Sequence, residues 1–182
     1  MQVEAARSLL DKDEPARADE LLERLAGATR DVHVDIRESI TGLRTATGEE
    51  HGLWRTLADY LQWFRQNNNI DAALIVEEGL AAGRLPPTAE AQLLRIVQEA
   101  LTNVRKHADA RRVKVVARRN GDMAEIRVED DGRGFDPALA AGKKGSYGLR
   151  IMEERTGESG GRLRIESAPN AGTTVFITLP LA

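Results

Sequence analysis

Apolar and polar residues recur along this chain with two different periods, and the change of period divides it. From Ala16 to about Arg44, Leu22, Leu25, Thr29, Val32, Ile36, Ser39 and Leu43 follow alternating steps of three and four residues, the seam of a heptad pattern. Leu21, Ala28 and Ile40 widen the stripe to the face a bundle helix buries. Gln2 to Leu10 reads as the tail of a preceding helix, broken at Asp11-Lys12-Asp13-Glu14-Pro15, where Pro15 suits the first turn of the next. The pattern therefore predicts a partial antiparallel helical hairpin. Its stripe needs a partner, most simply a second copy, although packing against the rest of this chain remains open.

Thr45 to Gly52 is polar and ends that periodicity, which places a boundary between residues 1–46 and 47–182. Leu53, Leu57, Tyr60, Leu61 and Phe64 restore helical spacing, and Ala72 to Val76 is a short apolar run with strand character. After the turn Leu85-Pro86-Pro87-Thr88, a helix beginning at Pro87 or Thr88 carries Leu93, Leu94, Ile96, Val97, Leu101 and Val104 on one side and extends through His107. Four strand-like segments follow: Val113 to Arg118, Ala124 to Glu129, Leu163 to Ser167 and Thr173 to Leu179. Asn120-Gly121-Asp122 turns the first pair and Pro169-Asn170-Ala171-Gly172 the second, with a short helix from about Tyr147 to Arg155 between the pairs. Two hairpins with intervening helices predict an α+β domain, a mixed sheet covered by helices on one face.

Composition narrows the classes. With 41% hydrophobic and 30% charged residues the chain has a globular balance, and with only 4% aromatics its core rests on Leu, Val, Ile and Ala. A net charge of −3 argues against nucleic acid, and the run Arg111, Arg112, Lys114, Arg118, Arg119 reads as the wet side of an edge hairpin. The absence of cysteine rules out disulfides and thiolate metal sites and fits a reducing, cytoplasmic setting. No apolar run reaches the length of a membrane span, so no membrane contact is expected from these residues.

The candidate chemistry gathers on one helix and three glycine motifs. Glu99, Asn103 and His107 fall at i, i+4 and i+8, so a carboxylate, an amide and an imidazole share a helical stripe. Asp130-Asp131-Gly132-Arg133-Gly134 ends a strand, where a carboxylate can accept from an exocyclic amine and glycines let backbone approach a flat ring. Gly145-Ser146-Tyr147-Gly148 leads into a helix whose first amides suit phosphate. Gly172-Thr173 opens the last strand and offers a hydroxyl to a base edge. Each has a plainer reading, as solvated face, turn or helix cap. Two other nucleotide motifs fail: Gly142-Lys143-Lys144 lacks the glycine spacing and Lys-Ser adjacency of a P-loop, and Gly132-x-Gly134 does not open a helix.

In this order and spacing the four motifs resemble the N, G1, G2 and closing Gly-Thr boxes of the GHKL ATPases, which include sensor histidine kinases, gyrase B subunits, MutL and heat-shock ATPase chaperones. Glu99-Ala100-Leu101-Thr102-Asn103-Val104-Arg105-Lys106-His107 is most similar to the nitrate-sensor and DesK-type kinases, and Arg37 to Arg44 resembles the end of their dimerisation hairpin. The resemblance implies a Bergerat-type fold that binds ATP and Mg²⁺. Asp130 would receive the adenine amine, supported by Thr173; Asn103 would hold Mg²⁺; Glu99 would orient a water or assist proton removal. Lys106 and His107 would face the phosphates, and Gly132 and Gly134 would admit the base; Phe135 to Lys144 would be a short lid carrying Lys143 and Lys144, which Gly145 and Gly148 would let close while exposing amides to the phosphates.

The reaction implied is γ-phosphoryl transfer to a histidine, then relay to an aspartate of a response regulator, in a homodimer joined through the complete hairpin. His33, in Asp31-Val32-His33-Val34-Asp35, does not match the acceptor position of that family, so the acceptor is expected outside this chain and self-phosphorylation is not expected. An anti-sigma-factor-type serine kinase is the nearest rival, disfavoured by the hairpin. A nucleotide-binding regulator without catalysis is the other.

Overall fold

The computed structural model describes residues 52–81, 84–140 and 147–182. The expected hairpin, His33, and the lid residues Lys143, Lys144 and Gly145 lie outside the described residues.

The first element, α1 (Leu53–Asn68), buries Leu53, Leu57, Tyr60, Leu61 and Phe64, the positions its apolar spacing marks. Asn69, left-handed with φ 52°, ends it, and β1 (Asp71–Val76) follows. A single turn, α2 (Glu78–Ala81), precedes α3 (Pro87–Asn103), which opens on proline, whose missing N–H has no partner to lose at that position. Its buried residues Leu93, Leu94, Ile96, Val97, Ala100 and Leu101 form one continuous stripe. The chain then forms β2 (Arg112–Asn120), β3 (Met123–Asp130), the turn α4 (Pro137–Ala140), α5 (Tyr147–Glu158), β4 (Arg162–Ser167) and β5 (Thr173–Pro180).

The five strands form one mixed sheet in the order β1-β2-β3-β5-β4, with β1 parallel to β2 and every other pair antiparallel. Alternation sorts its two faces. Val113, Val115 and Ala117 on β2, Ala124, Ile126 and Val128 on β3, and Val175, Ile177 and Leu179 on β5 join α1 and α3 in one core. The opposite face carries charged side chains, including the pairs Arg118–Glu125 and Arg127–Glu129. The sheet is thus covered by helices on one face, as the pattern predicts.

One expectation fails. The β2–β3 hairpin is not an edge, because β1 docks in parallel against β2 and β5 against β3. Lys114 and Arg118 owe their exposure to the uncovered face. Parallel pairing across a helical connection leaves no local signature in the sequence of either strand.

Candidate functional site

The C-terminal part of α3 crosses the ends of β3 and β5, and between them lies a cavity of about 300 Å³. Ala100, Val104, Val128, Met152 and Val175 give it apolar walls, while Asn103, His107, Asp130 and Thr173 supply polar groups. Apolar walls with a few convergent polar atoms suit a flat, partly polar ligand.

Asp130 is the most constrained of these groups. It ends β3 in register with Thr173, the first residue of β5, and Thr173 is in register with Ser167, the last of β4. Burial pushes the Asp130 carboxyl above its ordinary range; hydrogen bonds from the Gly132 amide and from the amide and hydroxyl of Thr173 oppose that shift. The Gly132 amide donates to Oδ1 at 2.8 Å. A carboxylate with donors already arranged on one side is oriented to accept one more from the cavity. Next to it, Asp131 turns away from the cavity. Its Oδ1 accepts the amides of Arg111 and Arg112 at 2.9 and 2.8 Å, and the Arg112 amide is the leading cause of its lowered pKa. Two adjacent aspartates thus divide the work: Asp131 fixes the loop, and Asp130 faces the site.

Gly134 follows in a left-handed conformation, φ 56°, with a β-carbon excluded by the Ala168 carbonyl. Any other residue here would be strained and would push the Asp131–Phe135 loop off the β4–β5 turn.

The stripe on α3 does not continue as regular helix. After Asn103 the chain widens into a π turn, Val104–Ala108, which Asp109 ends at φ 53°. In an α-helix a four-residue step overshoots a full turn by about 40°. The extra residue in a π turn makes the Asn103-to-His107 step fall short instead, offsetting the overshoot between Glu99 and Asn103. The widened turn therefore keeps Asn103 and His107 on the cavity side. Arg133 satisfies its free carbonyls: its amide donates to Ala108 at 2.7 Å and its Nε to the His107 carbonyl at 2.6 Å.

The structure brings Asn103, His107, Asp130, Gly134 and Thr173 to the cavity wall, with Gly132 behind Asp130. Glu99 lies one turn back along α3 and packs against Gly148, where a β-carbon would meet its carboxyl group. Lys106 is exposed and outside the lining. Two residues to which the motifs assign no role are part of the site's frame. Arg133 caps the π turn, and Ser167 joins three of the surrounding segments. Spacing does not reveal either role, because both act through partners distant in sequence.

Comparison with known proteins agrees with this geometry. Residues 88–182 match the family model described as histidine kinase-, DNA gyrase B- and HSP90-like ATPase. Over 185 aligned residues the chain is 34% identical to an uncharacterized sensor-like histidine kinase of Chloroflexus aurantiacus, covering 100% of this chain and 31% of that protein. It is 36% identical over 148 residues to the signal transduction histidine-protein kinase/phosphatase DegS of Brevibacillus brevis, covering 81% of this chain and 37% of DegS. The chain thus spans about a third of the length of these relatives. Among solved structures, the histidine kinase domain of a blue-light activated kinase from Erythrobacter litoralis superposes with a TM-score of 0.59 at 23% identity, covering 75% of this chain and 64% of that one. That likeness extends the agreement to the fold. The matched segment takes in α3, the sheet from β2 to β5 and every described residue of the cavity, and the chain belongs to the histidine kinase-, DNA gyrase B- and HSP90-like ATPase family.

Proposed function

We propose that this chain is the ATP-binding catalytic core of a two-component sensor histidine kinase, with residues 1–46 as part of its dimerisation hairpin and 47–182 as its catalytic domain. The observation that carries the reading is the half-buried, pre-oriented Asp130 carboxyl at the sheet end of an apolar cavity. Adenine fits that end: its exocyclic amine donates to Asp130, its ring lies between apolar walls, and Thr173 meets its edge directly or through water. The triphosphate then runs toward Asn103 and His107, with Lys106 facing it.

Mg²⁺ fits the donor set as a shared ion. Among the described residues no group of three or more His, Cys, Asp or Glu side chains can hold a metal by itself. Asn103 offers one amide oxygen, and Mg²⁺ commonly takes one or two protein oxygens together with substrate phosphates. When bound, it neutralises the triphosphate and holds its oxygens in line for transfer. Asn103 would hold the ion, and Glu99, kept beside Gly148, would orient a water or take the proton from the attacking imidazole. In that step an N–P bond forms to the acceptor histidine, the bond from the γ-phosphorus to the bridging oxygen breaks, and ADP leaves with the electron pair. The phosphoryl group then passes to an aspartate of a response regulator, the partner this chemistry requires. A sensor-like histidine kinase relative matched over the whole of this chain supports that reading over a serine kinase.

The test is transfer in trans. This chain, mixed with a longer nucleotide-site-dead kinase of the same type that carries an acceptor histidine, should phosphorylate that histidine from γ-labelled ATP. ATP binding without transfer to such an acceptor would favour a regulator that binds nucleotide without catalysis.

A further inference from the structure

Ser167 is half-buried at the end of β4, and its hydroxyl touches two further segments of the site, the loop at Phe135 and the start of β5. It accepts the Phe135 amide at 2.9 Å, donates to the Gly172 carbonyl at 2.9 Å, and lies 3.1 Å from the Thr173 hydroxyl. Phe135 and Gly134 form one lip of the cavity; Thr173 and Asp130 form its polar end. Ser167 and Thr173 together carry two hydroxyl protons. With the Ser167 proton shared between the Gly172 carbonyl and the Thr173 oxygen, the Thr173 proton is free to point at Asp130. Were Thr173 instead to donate to Ser167, its lone pairs would face a carboxylate, which two acceptors do not tolerate.

We propose that Ser167 is a positioning residue for recognition of the base: its hydroxyl holds the Phe135 lip and the Thr173–Asp130 edge in one fixed arrangement, so that the sheet end of the cavity is shaped before the ligand arrives. The proposal rests on the reading of this cavity as an ATP site. It rests also on the register row Asp130–Thr173–Ser167, which places the three side chains side by side across β3, β5 and β4. The Asn170 amide donates to the Arg133 carbonyl at 2.6 Å, a second link between the β4–β5 turn and the loop that carries Gly134. Ser167 is thus the side-chain member of a clamp whose other contacts are backbone.

The test compares the full chain with Ser167→Ala and Ser167→Thr by calorimetric titration against ATP, adenosine and inorganic tripolyphosphate. The alanine variant should bind ATP and adenosine about tenfold more weakly, the effect of losing one well-formed hydrogen bond in a shielded site. Its affinity for tripolyphosphate should not change, and the threonine variant, which keeps the hydroxyl, should recover most of the loss. Unchanged ATP affinity in Ser167→Ala would overturn the proposal, as would an equal loss for tripolyphosphate, which marks general loosening. Should the alanine variant fail to fold, amide exchange in the unaltered chain decides: Phe135 N–H must be protected like a strand amide, and fast exchange overturns the proposal. Failure of the unaltered chain to bind ATP or adenosine would instead remove the reading of the cavity itself, leaving Phe135 protection intact.

Discussion

The two ends of the cavity are built differently. At the sheet end, Asp130, Thr173 and Ser167 stand in one register row, and backbone pairing on both sides of β5 fixes their spacing. At the helix end, Asn103 and His107 come from a single helix, and their alignment depends on one π turn capped by Arg133. A sheet row admits little change without breaking several hydrogen bonds at once; a helix end can shift by adjusting one turn. In the proposed reading, recognition of the base falls to the sheet row. The adjustable end suits the phosphates, whose geometry changes during transfer.

The difference sets the order of expected effects. The largest falls on Asp130→Asn. The substituted amide keeps an oxygen for the Gly132 amide but turns N–H groups toward the adenine amine, so ATP affinity should fall about a hundredfold or more by calorimetry. Fold stability should not fall with it. The Asp130 pKa is raised on folding, so its stabilising contribution is complete below the ordinary carboxyl value and is lost as pH rises through the raised one. At neutral pH a neutral residue should hold or raise the melting temperature. Lost binding with a raised or equal melting point separates recognition from folding; a collapse of both would contradict the division between the two ends.

Asn103→Ala acts at the other end. The unaltered chain should bind ATP more tightly with Mg²⁺ than with EDTA, and the variant should lose that difference while still binding adenosine. Retained Mg²⁺ dependence would remove Asn103 from the metal site. Gly148→Val is milder: its side chain meets the Glu99 carboxyl, a flexible group that can yield. Transfer in trans should slow by about tenfold with ATP affinity nearly kept, a loss confined to the reacting complex; equal losses of rate and affinity would count against a role for Glu99 in that complex.

The smallest effect belongs to Asp131→Asn, which removes charge from the loop without entering the cavity. Hydrogen bonding, chiefly from the Arg112 amide, lowers the Asp131 pKa, so its contribution is present above the ordinary carboxyl value and is lost as pH falls through the lowered one. The variant should melt slightly below the unaltered chain at neutral pH, and the gap should close in acid. A gap that persists in strong acid would mean that charge is not the cause.

Much of this molecule is legible in its sequence because its signals are local. Alternation along β3 and β5 places Ile126, Val128, Val175 and Ile177 in the core, and Pro87 marks the start of α3. Asp130 and Asn103 are recognisable because their motifs are short and ordered. What escapes the sequence is set by long-range contact. The inner position of the β2–β3 hairpin depends on β1 arriving from the other side of α3. Glu166-Ser167-Ala168 reads as an ordinary strand end, and only folding brings Ser167 to an amide 32 residues away. The π turn at Val104–Ala108 is likewise hidden, since the same residues would serve in an α-helix and the carbonyls that Arg133 caps lie on another element.

The most direct measurement is competition between ATP and GTP for the unaltered chain. At the position of adenine's exocyclic amine, guanine presents a carbonyl oxygen, which would oppose the Asp130 carboxylate as acceptor against acceptor. ATP should bind about a hundredfold more tightly than GTP, and Asp130→Asn should erase most of that preference. Equal affinity for the two nucleotides, or a preference that survives in Asp130→Asn, would contradict the assignment of the sheet end as the reader of the base.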